Sequence, residues 1–262
     1  MAIPTEPIGS IPRPLKLIAA ISARDGTDPA LDPLYDEAIR DTITKFEETG
    51  SPVITDGEQR KYHNFWTYCV HGLPNMAPDG FKIPFAAGHV RRMPRLTSGP
   101  FRYKRYADSY LDKALRYANV PVKQAVISPS ALSLLYPADE IPGYPREQFI
   151  DELLREHETE IRNCLAKGAH NVQIDFTEGR LAVKIDPSGK LLHSFIDLNN
   201  MALSRFSRKI ASDLACIRVP DRTATQRIVG TWTTQSYCPA YSNSMFAISI
   251  LRLLEKRTAS EC

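Results

Sequence analysis

No apolar run of about 18 residues occurs in this 262-residue chain, so nothing in it reads as a membrane-spanning helix. The N-terminus, Met1-Ala2-Ile3-Pro4-Thr5-Glu6, lacks a basic region leading into an apolar one and does not read as a secretory signal. Cysteine is sparse: five, at positions 69, 164, 216, 238 and 262, with no C-x-x-C pair. An odd number at wide spacing excludes a disulfide framework and points to the reducing cytoplasm. Excess charge is missing as well. Lys and Arg number 33 against 30 Asp and Glu, a net +3 that does not by itself argue for nucleic acid. Histidine is absent beyond residue 206, and no His-x-Cys occurs anywhere. What is present is a 43% hydrophobic content, enough to bury the core of one barrel or one large α/β domain.

The organising stretch is Pro52-Val53-Ile54-Thr55-Asp56-Gly57-Glu58-Gln59-Arg60-Lys61. It opens apolar and β-branched, then breaks into an acid, a glycine, a second acid and two bases. A buried parallel strand reads this way when its carboxyl end opens into a site. Gly57 allows a sharp turn that projects Glu58 from the strand's end. Asn171-Val172-Gln173-Ile174-Asp175, running on into Phe176-Thr177-Glu178-Gly179-Arg180, repeats the design. Two strands that each deliver carboxylates at their carboxyl ends predict an α/β fold of the TIM (β/α)8 type, with its site on that face.

Around these two stretches the pattern alternates. Leu34, Ala38, Ile39, Ile43 and Phe46 predict a helix opened by Asp32-Pro33 and closed by Thr49-Gly50. Further helices run from Tyr106 to Ala118, from about Phe149 to Leu165 and from Ser194 to Phe206, with a strand over 122–127. His157 lies on the apolar stripe of the 149–165 helix and reads as a packed or rim histidine, not a ligand. Residues 4–14 are too rich in proline for a helix. There Ile8-Gly9-Ser10 reads either as an ordered arm or as a strand end whose bare amides face a carboxylate. Residues 62–100, broken by Gly and Pro, predict an irregular excursion of the kind that sits over a barrel's site. The bases His89, Arg91, Arg92, Arg95, Arg102, Lys104 and Arg105 read first as a solvated face, next as an attractor of an acidic small-molecule tail. RNA, for which interleaved Phe101, Tyr103 and Tyr106 would provide stacking, comes last.

Ile8-Gly9-Ser10-Ile11-Pro12-Arg13, the Gly57-Glu58-Gln59-Arg60 turn and Val172-Gln173-Ile174-Asp175 occur in this order and at this spacing. Together they resemble the catalytic barrel of the cobalamin-independent methionine synthases, in particular their single-barrel relatives. The likeness covers residues 1–206 as a barrel portion. It implies zinc-dependent methyl transfer from a 5-methyltetrahydrofolate donor to homocysteine or another small thiol, with no nucleic-acid or membrane partner. By motif, Ile8, Gly9 and Ser10 would hold the amino acid's carboxylate through backbone groups, and Glu58 and Asp175 its ammonium. Amides at one end and carboxylates at the other suit a zwitterion. In the family the metal binds the substrate sulfur and keeps it as thiolate. The bases between His89 and Arg105 would attract the folate's glutamyl tail.

Two departures stand against the family pattern. Where the family continues its last motif as Asp-Glu-Pro-Ala, this chain reads Asp175-Phe176-Thr177-Glu178, without a second acid beside Asp175, and the thiol acceptor is left open. The family's zinc ligands, a His-x-Cys on one strand and Glu and Cys on later ones, have no counterpart, and Cys216, Cys238 and Cys262 stand alone. Residues 207–244 carry no sustained period of two or 3.6, Met245 to Leu254 is a short apolar run that suits at most a brief amphipathic helix, and 207–262 as a whole reads as an aberrant tail. Read from each codon's third base, the tail does look like the family. Trp232-Thr233 then forces Asp, Tyr237-Cys238 forces Leu, and Ala215 through Asp221 permits Gly-Val-His-Thr-Cys-Pro-Gly. The expectation is a one-base slip near Phe206–Arg208 and an incomplete barrel of about five βα units without metal ligands. Methyltransferase activity would be impaired in such a chain. The alternative is a non-catalytic remnant that still binds an amino acid or folate.

Overall fold

The computed structural model describes residues 6–61, 66–84, 90–207 and 214–217. The chain divides into two units, Met1–Val126 with Leu132–Val172, and Ile127–Ala131 with Gln173–Cys262.

In the first unit, Pro14 stands immediately before α1 (Leu15–Ser22), a helix that the sequence pattern does not announce. It sends Leu17 into a small core with Leu31, Tyr35 and Ala38. Asp32-Pro33 opens α2 (Asp32–Glu48) as predicted, with Thr49 as its C-cap. Its buried residues are Tyr35, Ala38, Ile39, Thr42 and Ile43, the i, i+3, i+4, i+7, i+8 set of an amphipathic helix. Tyr35 joins that set because its hydroxyl finds a partner inside, donating to Gly26 O at 2.9 Å.

The stretch after α2 is buried from Val53 through Gln59, yet it forms a single parallel bridge, Ile54 to Val122, rather than the full strand predicted. Pro52 has no N–H to give. From Thr55 onward, side chains take the backbone donors: Thr55 Oγ1 accepts from Gly57 N at 3.0 Å, and Asp56 Oδ1 from Glu58 N at 2.8 Å.

The excursion is more ordered than predicted. Its strands β1 (Met76–Ala77), β2 (Lys82–Pro84), β3 (Val90–Arg92) and β4 (Arg95–Leu96) pair antiparallel as β1 with β4 and β2 with β3, one ribbon nested in the other. Strands of two or three residues are too short to show a period, which hides them from a sequence reading. Gly80 lets the backbones close up, since a Cβ there would stand 2.4 Å from Met93 O.

After it come α3 (Leu111–Tyr117), β5 (Lys123–Ile127), α4 (Pro129–Leu132), α5 (Arg146–Ala166) and β6 (Asn171–Asp175). The predicted strands 122–127 and 171–175 are therefore present, and β5 is buried along its whole length. His157 of α5 is fully buried, as a packed histidine should be. In the first unit His170 N donates to Val122 O at 2.8 Å, and in the second Ser128 N donates to Asp175 O at 3.3 Å. Partners that advance together along both strands define parallel pairing.

The second unit continues with α6 (Glu178–Ile185), which the sequence pattern does not announce, and α7 (Lys190–Ser204), which starts before the predicted 194. The sheet order is β5-β6-β7, with β7 formed by Leu214–Ile217. That strand falls within 207–244, the stretch read as having no sustained period. Four apolar residues make too short a run for periodicity but enough for one short strand. Residues 208–213 and 218–262, where most of the slipped-frame argument falls, lie outside the described residues. Among the described residues the fold is α/β with β5 and β6 as a parallel pair, and no closed barrel is formed. No helix among them is long and apolar enough to cross a membrane.

Candidate functional site

The N-terminal arm is stitched along the Glu58 turn. Thr55 Oγ1 donates to Gly9 O at 3.4 Å, and Ile11 N donates to Gly57 O at 3.1 Å. Arg13 caps the turn's carbonyls, giving Nε to Gln59 O at 2.7 Å and a second nitrogen to Lys61 O at 3.1 Å. Glu6 pairs with the buried Lys123 at 2.9 Å. Of the four predicted residues in this unit, Gly9 and Glu58 are buried, while Ile8 and Ser10 are exposed. The fold thus brings the arm against the Glu58 turn.

Glu58 itself is held at φ 55°, a left-handed backbone that a non-glycine residue adopts at a cost of roughly 1–3 kcal/mol. Its amide is fixed by Asp56, and one carboxylate oxygen lies 3.5 Å from Lys61 Nζ. Lys61 is almost wholly buried; it also donates to Ala125 O at 2.8 Å and sits over the Tyr68 ring, 4.7 Å from its centroid. Burial pushes the Asp56 carboxyl up to about 6; the neighbouring Glu58 charge adds to this, while the Glu58 amide and the Lys61 ammonium pull the other way. The turn thus concentrates two buried acids around one internal cation.

The bases of the excursion serve mainly the chain itself. Arg95 pairs with Asp79 at 2.9 Å, Lys104 donates to Gly72 O at 3.0 Å, and Arg102 lies 3.4 Å from Glu152 and 3.8 Å from Glu156. Arg92, Arg102, Lys104 and Arg105 are nonetheless exposed, as in a solvated face. His89 and the Arg91 side chain lie outside the described residues. Arg92 is exposed and lines an open cavity of about 620 Å³ with Thr67, Val70, His71 and Met76; this cavity does not include Glu58.

In the second unit, Asp175 ends β6 almost fully buried and accepts from Gln173 Nε2 at 2.6 Å. Three residues on, Glu178 opens α6 with no exposure at all. Its Oε1 accepts from the hydroxyls of Ser128, at 2.6 Å, and Ser130. Asn199 of α7 holds Ser130 in turn, through Nδ2 to Oγ at 2.7 Å. Burial pushes the Glu178 carboxyl up to about 7 against the pull of the two serines. The sequence reading takes Asp175 from this end and passes over Glu178, although that acid stands in the motif it quotes. Ser128, Ser130 and Asn199 carry no local signal of their role.

Among the described residues no group of three or more His, Cys, Asp or Glu is placed to hold a metal ion. Cys69 and Cys164 are buried, and burial pushes both thiols well above their ordinary range, away from the thiolate a zinc ligand needs. The described residues do not fit the zinc that the resemblance implies.

Among the described residues the class is an α/β fold, with buried acids on a turn beside the backbone arm in the first unit and buried acids at the end of β6 and just after it in the second. Two solved structures share the fold. One is a Listeria monocytogenes protein assigned as a vitamin-B12-independent methionine synthase, with 21% identity and a TM-score of 0.57 over 80% of this chain. The other is a B12-independent methionine synthase from Shewanella sp. W3-18-1 in complex with selenomethionine, with 18% identity and a TM-score of 0.58 over 78% of this chain. The chain spans 62% and 59% of their respective lengths. No protein-family profile matches the chain, and no curated protein sequence does.

Proposed function

We propose that this chain is a methionine-synthase-like barrel portion, residues 1–206, that retains amino-acid binding and lacks the metal centre of the methyltransferases it resembles. The observation that carries this reading is the strained, buried Glu58, held on a turn to which the Gly9 arm is stitched. Ile8, Gly9 and Ser10 offer backbone groups to an amino-acid carboxylate. Glu58 offers an acid to its ammonium; Asp175, which the resemblance also implies for that role, belongs to the second unit. A fold neighbour bound to selenomethionine supports a small amino acid as the ligand class. Methyl transfer from 5-methyltetrahydrofolate to homocysteine or another small thiol is the chemistry of the resembled family. Without ligands for zinc among the described residues, no step of that transfer is assigned to them. Residues 207–262 are in this reading a frame-slipped tail.

The experiment measures zinc per chain alongside thiol-dependent methyl transfer and methionine binding on the purified protein. Methionine binding with neither stoichiometric zinc nor transfer is the expected result. One zinc per chain together with homocysteine-dependent transfer from 5-methyltetrahydrofolate contradicts it and makes the chain an intact enzyme.

A further inference from the structure

A lysine ammonium taken out of water is costly unless it is paired, and Lys61 is buried to 2% exposure beside Glu58, within the first unit. Its Nζ donates to Ala125 O at 2.8 Å, lies 4.7 Å from the centroid of the Tyr68 ring, and stands 3.5 Å from Glu58 Oε1. The first contact is a full hydrogen bond and the second a cation–π contact. The third is longer than a charge-assisted hydrogen bond, which closes to about 2.7–2.9 Å. Glu58 is therefore the loosest of these three partners. The backbone on both sides of the pair is tied down. Lys61 N donates to Glu58 O at 3.2 Å, and one nitrogen of Arg13 reaches both carbonyls, at 3.4 Å and 3.1 Å. An exchange at the Glu58 carboxylate thus moves side chains alone. Lys61 would keep Ala125 O and the Tyr68 ring through it, and its charge acts on the buried carboxyls of Asp56 and Glu160 as well.

We propose that Lys61 is an internal competitor for the Glu58 carboxylate, a primary ammonium that holds the place of the ligand's ammonium until the ligand displaces it. This rests on the amino-acid-binding reading above and deepens it, by naming the residue that sets how much the site gains from an amine. The exchange replaces one primary ammonium by another, so the new contact is offset by the one it removes. Two ammonium groups kept together on one buried carboxylate would repel each other at short range, which favours exchange over sharing. Glu58 lies outside the open cavity that Arg92 lines, in keeping with an acid already covered by a group of its own chain.

Isothermal titration of the full chain at pH 8 with L-methionine, and with 4-(methylthio)butanoate, which lacks the amine, tests this. In the wild-type chain the amine is expected to improve affinity by less than about tenfold, because its gain is spent on displacing Lys61. Lys61→Met keeps an unbranched side chain and removes the charge. It is expected to bind methionine at least about tenfold more tightly than wild type, with no gain for the analogue. Lys61→Arg, which keeps the charge, should show no such gain. A gain confined to the ligand that carries an amine is not what a purely structural lysine would give. A Lys61→Met protein that binds methionine no more tightly than wild type overturns the proposal, as does a wild-type amine gain of about tenfold or more. If Lys61→Met does not fold, the wild-type comparison of the two ligands decides alone. If no form of the chain that folds binds methionine, the amino-acid reading falls and takes this proposal with it, whereas methionine binding equal in wild type and Lys61→Met removes the proposal alone.

Discussion

Gly57 shows how tightly the Glu58 turn is set. Its φ of +66° favours glycine, and a Cβ there would meet Thr42 Cγ2 at 2.7 Å and Ile11 Cγ1 at 2.8 Å. Gly57→Ala therefore combines left-handed strain with a clash against both α2 and the arm, and we expect a loss of about 2 kcal/mol or more. Urea unfolding checks this, and a change below about 0.5 kcal/mol would mean that the turn tolerates a side chain. The placing of Glu58 and Asp175 just after buried apolar stretches is legible in the sequence, because an acid closing an apolar β-branched run is a local pattern. Their supports are not. Arg13 and Gln59 lie 46 residues apart in the chain, Lys61 and Ala125 lie 64, and Glu178 and Ser128 lie 50. No window of sequence contains such a pair, so only the folded chain reveals it.

Among the elements, α5 shows a period that carries more than packing. Glu152, Glu156 and Glu160 follow one another at four-residue spacing on its buried side. They accept in turn from Phe101 N at 2.7 Å, Tyr103 N at 3.0 Å and Ala107 N at 2.9 Å, a clamp on the segment after the excursion. Glu160 also accepts from Tyr68 Oη at 2.7 Å. Burial pushes its carboxyl from 4.5 up to about 7, against the pull of Tyr68, the Ala107 amide and Lys61. Between those two values the folded chain keeps a proton that the unfolded chain has released. This contribution is thus fully present below about 4.5 and is lost as pH rises through about 7, on the order of 3 kcal/mol in all. Glu160→Gln, which mimics the protonated group, should flatten the fall in unfolding free energy between pH 5 and pH 8 and be the more stable protein at pH 8. A slope identical to wild type would assign the pH dependence elsewhere. The sequence marked the inward face of α5 by its apolar residues alone, and glutamates on a buried face are silent to a hydrophobic period. The helix α6 was hidden for a related reason, because Thr177-Glu178-Gly179 carries a turn's composition and the helix runs only eight residues.

At the scale of the whole molecule, the α/β order from α2 to α7 follows the alternation read from the sequence, with the strand before Glu58 reduced to one bridge and β7 added beyond residue 206. The frame-slip reading makes a prediction about the gene rather than the fold. Sequencing the transcript around codon 207 should reveal an alternate frame opening into a His-x-Cys strand, and a coding sequence in which no frame does so removes that explanation of the tail. The account as a whole depends on the Glu58 turn and its arm gripping an amino acid without a metal. Crystals of the chain grown with L-selenomethionine test this most directly, because selenium is located by its anomalous signal and the chain's own methionines carry sulfur. The account predicts one ordered ligand whose ammonium lies within about 3.2 Å of the Glu58 carboxylate and whose carboxylate rests on the Gly9–Ser10 backbone. A selenium site elsewhere with that cradle empty, or a zinc ion bound at the ligand, would contradict it.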